Sequence, residues 1–245
     1  MEQEDLVCGI NAVLSALKHN AAAIDALWVD STREDRRIGA VIAAARDAKI
    51  KVHRVPGAKL DQLADGERHQ GVVARRRDTA AREEKGLVAV LEAAAMPLVL
   101  VLDGVQDPQN LGACIRSAAA AGAQAIILPR DHSAPLTAAT RRAAAGGSEI
   151  VPVFYVANLA RTLRELKDKG LWLVAITQEA EQAIYAVDLK GPVALVLGGE
   201  GEGIRRLTRE HCDFEAHIPM PGEMESLNVS VATGIGLFEA VRQRI

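Results

Sequence analysis

Apolar residues in the second half of the chain come in short, unbroken aliphatic runs at Leu98–Leu102, Ala125–Leu128, Ile150–Val156, Trp172–Ile176, Val193–Leu197 and Phe214–Ile218. Runs of this length without polar alternation predict strands buried on both faces, as in a parallel sheet. Between them lie stretches with helical spacing at Leu111–Ala121, Thr137–Ala145 and Leu159–Lys169, and a last one at Val229–Arg244. The third of these has Asn158 as a natural N-cap, Leu159, Leu163 and Leu166 on one face and Gly170 just past its end. Alternation of strand and helix predicts an α/β domain built on a mainly parallel sheet.

The first part of the chain follows a similar rhythm at smaller scale. Gly9–Leu17 and Glu34–Ala48 have helical spacing, and Ala26–Val29, Val52–Val55 and Gly71–Arg75 read as extended. A polar, charge-rich stretch follows from Arg76 to Gly86, which reads as a connector. The expected division is therefore a small α/β domain over 1–75, a linker within 76–90 and a larger α/β domain over 91–245.

Composition narrows the class. With 49% apolar and 25% charged residues the chain suits a folded globular protein and not a disordered one. The apolar run Met96–Leu102, even extended back to Ala93, is far short of the roughly 20 residues of a spanning helix, and the acidic start Met-Glu-Gln-Glu-Asp does not resemble an export signal. Cys8, Cys114 and Cys212 are too scattered for a disulfide framework or a zinc site, so a reducing cytoplasm and no metal are expected. A net charge of −3 argues against gripping nucleic acid by overall charge, and 3% aromatic residues argue against rows of stacking rings on a sheet. The one compact basic run is Arg75-Arg76-Arg77, a candidate for contacts with phosphates.

Ligands of open parallel sheets gather at the carboxyl ends of the strands, and three loops there have unusual composition. The first is Asp103-Gly104-Val105-Gln106-Asp107-Pro108-Gln109-Asn110, with Asn110 able to cap the helix that carries Arg116; within that helix Arg116 has only Gly112, Ala113, Ala119 and Ala120 as neighbours. The second is Gly198-Gly199-Glu200-Gly201-Glu202-Gly203, where glycine density permits close approach of main chain to a ligand. Ile204 stands where a dinucleotide fingerprint needs glycine, no Gly-Lys-Ser/Thr follows, and Glu200 and Glu202 would repel a pyrophosphate. A ligand without phosphate, or a cationic one, suits this loop. The third is Ile218-Pro219-Met220-Pro221-Gly222, followed by Ser226-Leu227-Asn228 at the mouth of the last helix.

In this order the three segments resemble the three motifs of the SpoU (TrmH) family of RNA 2′-O-methyltransferases. Within the family, Leu102-Asp103-Gly104-Val105, Arg206–Cys212 and Leu237–Arg242 look most similar to its members that methylate a guanosine of bacterial 23S ribosomal RNA. The resemblance implies a C-terminal domain of the SPOUT class with a trefoil knot, which runs against the rule that chains do not thread loops. It also implies S-adenosylmethionine as methyl donor, an N-terminal RNA-binding domain and a homodimer with sites at the subunit interface. On the family pattern Gly198, Gly199, Ile218, Met220 and Leu227 hold the donor, and Arg116, Asn110, Glu200, Ser226 and Asn228 form the reacting end. Arg75, Arg76 and Arg77 are expected at the RNA. Two alternatives are a transfer-RNA methyltransferase with the same motifs and a ribosome-assembly protein without catalysis. A nicotinamide oxidoreductase is excluded by the missing fingerprint.

Overall fold

The structure, a computed structural model, describes residues 5–76 and 84–245. The first sheet is built by β1 (Asp5–Cys8), β2 (Ile24–Asp30), β3 (Val52–Val55) and β4 (Val72–Arg76), in the order β1-β4-β2-β3. Helices α1 (Ile10–His19) and α2 (Arg36–Asp47) cover one face through Ile10, Val13, Ile38 and Val41, which pack on Leu27, Val29, Val72 and Ala74. On the other face the short α3 (Gly57–Ala64) sets Leu60 and Ala64 against Val73, covering part of it.

The second sheet has six parallel strands. In chain order they are β5 (Leu98–Asp103), β6 (Ala125–Pro129), β7 (Val153–Val156), β8 (Trp172–Ile176), β9 (Val193–Gly198) and β10 (Phe214–Ala216), and they stand side by side as β10-β8-β9-β5-β6-β7. The aliphatic runs are continuous because both faces are covered. On one face α5 (Pro108–Ala120), α6 (Ala138–Ala144) and α9 (Val229–Arg244) join a core with Leu100, Leu102, Ile126 and Leu195. On the other, α4 (Lys85–Glu92) and α7 (Leu159–Asp168) bury Leu87, Leu91, Leu163 and Leu166 against Val99, Val101, Ile127 and Val196. The small α8 (Arg206–Glu210) completes the chain order between β9 and β10.

Several elements differ from the sequence reading. The segment expected to be a linker is partly ordered into the domains: Arg76 ends β4, and α4 occupies 85–92 because Leu87 and Leu91, one turn apart, reach the lower core. The Ile150–Val156 run starts as a strand only at Val153, since Gly147–Glu149 forms a 3-10 turn ahead of it. Asp107 and not Asn110 caps α5: its carboxylate accepts from the Asn110 amide at 2.7 Å, with Pro108 in the first turn. Asn158 caps its helix as expected, and Asn228 caps α9.

The two sheets are joined by polar contacts around the 3-10 turn. Arg76 of β4 is buried and donates to Glu149 Oε1 at 2.5 Å, and Ser15 of α1 donates to the Gly146 carbonyl at 2.9 Å. Arg142 meets Glu67 across the same seam.

Two close approaches fix the loops at the carboxyl end of the sheet. A Cβ on Gly112 would lie 2.4 Å from that of Ala143 and 2.5 Å from the Thr140 carbonyl oxygen, so α5 and α6 meet at a distance only glycine allows. Asp103, fully buried at the end of β5, ties down both ends of the glycine loop after β9. Its carbonyl accepts from Gly199 N at 2.8 Å, and its carboxylate accepts from Arg205 N at 3.1 Å and Arg205 Nε at 2.8 Å. Gly112→Ala is expected to force α5 from α6 and cost about 1–3 kcal/mol in urea unfolding. Asp103→Ala is expected to cost about 1–3 kcal/mol and to speed amide exchange at Gly199 and Arg205 while leaving the β5 interior protected.

Candidate active site

The strand order reverses between β5 and β9, which run in register from Leu98↔Val193 to Asp103↔Gly198. Loops leaving the two strands therefore turn to opposite sides and open a crevice beyond their carboxyl ends. The loop after β9 folds back on itself, Gly203 N donating to Gly199 O at 3.2 Å, with Gly201 and Gly203 at φ of 93° and 65°. At its root there is no room for side chains. A Cβ on Gly198 would lie 1.9 Å from the Gly203 carbonyl carbon, and one on Gly199 would lie 2.0 Å from the Gly104 carbonyl oxygen.

Three residues from the three loops meet above this root. Asn110 Nδ2 donates to Glu200 Oε1 at 2.6 Å, and Asn228 Nδ2 donates to the same oxygen at 3.1 Å and to Asn110 Oδ1 at 3.0 Å. The Asn228 Oδ1 atom accepts from the Ser230 amide at 2.9 Å and hydroxyl at 2.6 Å, capping α9. Every polar atom of the Asn228 side chain is thus committed, to the helix on one side and to the other two loops on the other.

Beside the triangle lies an open cavity of about 1330 Å³, bordered by Gly198, Gly199, Glu200, Ser226 and Leu227 and, from the end of β8, Thr177. A smaller one of about 680 Å³, bordered by Gly104, Asp107 and Asn110, shares Glu200 and Val229 with it. The larger cavity combines exposed main chain with aliphatic surface from Ile176, Leu197 and Leu227. Its border has three carboxylates, Glu179, Glu200 and Glu225, and no Lys or Arg among the described residues, and Glu179 is tied to Arg209. Such a lining favours a ligand with positive charge and opposes a phosphate.

The predicted residues do not all gather here. Gly198, Gly199, Glu200, Ser226 and Leu227 border the large cavity, and Asn110 and Asn228 join them through the triangle. Ile218 is buried in the core beneath and Met220 is half-buried in the loop beyond it; neither side chain borders the cavity. Arg116 borders neither cavity. Six residues beyond Asn110 on α5, it lies about 120° around the helix from it, on the flank where a Cβ added to Gly147 would come within 3.2 Å of its Cα. Its side chain is exposed and makes no hydrogen bond or ion pair among the described residues.

The basic run divides. Strand alternation turns Arg75 and Arg76 to opposite faces of the first sheet. Arg75 pairs with Asp25 at 3.1 Å, with its guanidinium 5.7 Å from the centre of the Trp28 ring. Arg76 is only 3% exposed and engages Glu149, so the expectation that it meets RNA is corrected: its charge joins the two domains. Arg77 lies outside the described residues. The Thr177–Glu179 segment escaped the sequence reading. Its signal is positional, since the carboxyl end of β8 adjoins β9 only once the strand order is known.

Burial disfavours the thiolate at all three cysteines. Burial pushes the Cys114 thiol up to about 11, against a weaker lowering effect of its hydrogen bond with Thr233, and pushes Cys8 and Cys212 up to about 12. Among the described residues no group of His, Cys, Asp and Glu could hold a metal ion, and no helix is long and apolar enough to cross a membrane.

Comparison with known proteins gives a consistent picture. The SpoU rRNA Methylase family matches residues 97–238, and the RNA 2′-O ribose methyltransferase substrate binding family matches residues 6–78. The chain is 50% identical over 245 residues to the 23S rRNA (guanosine-2′-O-)-methyltransferase RlmB of Xanthomonas axonopodis pv. citri, covering 100% of this chain and 98% of that protein. Among solved structures it is similar to the SpoU methyltransferase AviRb of Streptomyces viridochromogenes in complex with AdoMet. The TM-score is 0.80 at 26% identity, over 98% of this chain and 90% of that one. It is also similar to an AdoMet-bound rRNA methyltransferase from Sinorhizobium meliloti, with a TM-score of 0.77 at 27% identity over 99% and 88% of the two chains. With its motifs brought together at the crevice and its likeness spanning the full length, the chain belongs to the SpoU rRNA methylase family.

Proposed function

We propose that this protein transfers a methyl group from S-adenosylmethionine to the ribose 2′-oxygen of a guanosine in 23S ribosomal RNA. The observation that carries the reading is the Asn110–Glu200–Asn228 triangle, which knits three loops into one wall beside a cavity rooted in glycine main chain. The full-length likeness to RlmB proteins supports the choice of substrate, and the AdoMet complexes of related structures support the donor. We assign the first domain, through β4, to RNA binding and the second, from α4 onward, to a knotted catalytic domain acting in the cytoplasm.

The cavity fits such a donor on its own terms: it has close-packed glycines, aliphatic surface for an adenosine and carboxylates facing a cation. S-adenosylmethionine, when bound, supplies an electrophilic methyl on a positively charged sulfur. Gly198, Gly199 and Leu227, which border the cavity, would hold it. Glu200 fixes the glycine loop against Asn110 and Asn228, and Ser226 borders the reacting end. The remaining work is to position a ribose hydroxyl and to stabilise the charge that grows on its oxygen as the proton leaves. Arg116 suits that task as a permanent cation with a planar fork for phosphate.

Arg116 borders neither cavity of its own chain, and we infer that a second copy completes the site. Val231 and Phe238, both about half exposed at 49%, leave an apolar stripe on α9 beside its crossing with α5, where Gly234 meets Ser117, one residue from Arg116. A homodimer through this face covers the stripe and carries each Arg116 toward the partner's cavity.

Three outcomes follow. Mass-spectrometric mapping of 23S ribosomal RNA from a strain lacking the protein should lose one 2′-O-methylguanosine, restored by the wild-type gene; loss from transfer RNA instead would redirect the substrate. Arg116→Lys should reduce kcat by at least about tenfold, because a point charge lacks the bidentate fork. Inactive Arg116→Ala and Gly199→Val proteins, mixed by co-expression, should regain about a quarter of the wild-type sites if the arginine serves the partner's cavity, and none if it serves its own.

A further inference from the structure

The family resemblance assigns the first domain to RNA without saying which surface of its sheet holds it or in what form. On its α3-side face Leu6, Cys8, Val55 and one side of Trp28 pack around Leu60, Ala64 and Val73, and the cover thins toward Arg75 and the edge strand β3. Beyond α3, three side chains on adjacent strands form a row. Arg75 of β4 lies over Trp28 of β2, and Trp28 stacks on His53 of β3, directly opposite it in the parallel register, with ring centres 6.1 Å apart and planes 27° apart. All three are half-buried, and β3 is the edge strand, so the outward side of the His53 ring borders no further strand. Alternation puts Lys51 on the same face as His53 at that open edge.

Charge sets this edge apart. Residues 48–60 contain Lys49, Lys51, Arg54 and Lys59 and no Asp or Glu. All four are exposed and make no ion pair among the described residues, whereas Arg33, Arg75, Arg76, Arg142, Arg161 and Arg209 are each held by a carboxylate. Lys51 lies on the face of His53 and Arg54, by the same alternation, on the opposite one, so the open edge of β3 carries positive charge without an ion-pair partner among the described residues. A stacked row of rings ending at such an edge matches unpaired nucleotides, whose bases stack on aromatic faces while cations follow the phosphates. A duplex hides its base faces and offers no partner for the rings.

We propose that the Arg75–Trp28–His53 row, with Lys51 at its outer edge, binds an unpaired stretch of the RNA substrate, one base extending the stack over His53 and an adjacent phosphate meeting Lys51. This rests on the reading of the protein as an RNA methyltransferase and adds to it where, and in what form, the first domain holds its RNA. It also revises the expectation from aromatic content: two rings are few, but the sheet brings them together.

Trp28 and Trp172 are the two tryptophans of the chain, so Trp172→Phe leaves Trp28 as sole reporter. In the full-length protein, an unpaired RNA oligonucleotide should quench Trp28 emission, and a duplex of the same length should do so weakly. His53→Ala and Lys51→Ala, both at the surface, should each raise the KM for ribosomal RNA about tenfold, with unchanged kcat at saturating RNA and unchanged affinity for S-adenosylmethionine. Unchanged emission with unchanged KM would overturn the proposal and leave the enzymatic reading intact, and stronger quenching by the duplex would overturn it as well. Wild-type protein that transfers no methyl group but shows the selective quenching would overturn the enzymatic reading alone and support this surface.

Discussion

The crevice depends on one buried carboxylate. Asp103 ends the central strand β5 with no exposure to solvent, and from that position it holds the loop of a different strand by its carbonyl at one end and its carboxylate at the other. A buried charge in this setting is tolerated because Arg205 reaches it with both main-chain and guanidinium donors. The gain is geometric. Five residues between Gly199 and Arg205 are confined by two fixed points, so Glu200 stands where Asn110 and Asn228 can both reach it. The glycines then follow from sterics: once the loop is drawn so near to Gly104, side chains at Gly198 and Gly199 have nowhere to go.

Much of this was legible in the amino-acid order. Strands β8 and β3 and helix α9 fall where periodicity put them, because each is bounded by clear polarity changes or by a capping residue. The strands of the second sheet were readable as buried because helices on both faces remove any need for alternation. What escaped did so for physical reasons. α3 and α4 are single-sided helices of eight residues each, too short for the pattern to outweigh their charged neighbours. Asn110 looked like a cap because Asp107, three residues earlier, is an equally good one, and only the geometry of Pro108 in the first turn separates them.

The candidate site was legible as three separate loops and not as one arrangement. Nothing in the spacing of Asn110, Glu200 and Asn228 says that they touch, since contacts 90 and 118 residues apart depend on a strand order that reverses between β5 and β9. The arginines mislead in the same way. Arg76, Arg141 and Arg142 look unpartnered when only their own segments are considered. The fold supplies Glu149 to the first two and Glu67 to the third, so these charges serve the seam between domains. Arg116 is the contrast, since the same fold leaves its guanidinium without a counter-ion among the described residues.

That Arg75 and Arg76 face opposite ways has an evolutionary corollary. A single-residue insertion or deletion inside β4 would exchange their sides, putting an arginine meant for solvent against Glu149's neighbours and exposing the one that anchors the second domain. Two unrelated duties would fail together, so this short strand should tolerate changes of residue type more readily than changes of length.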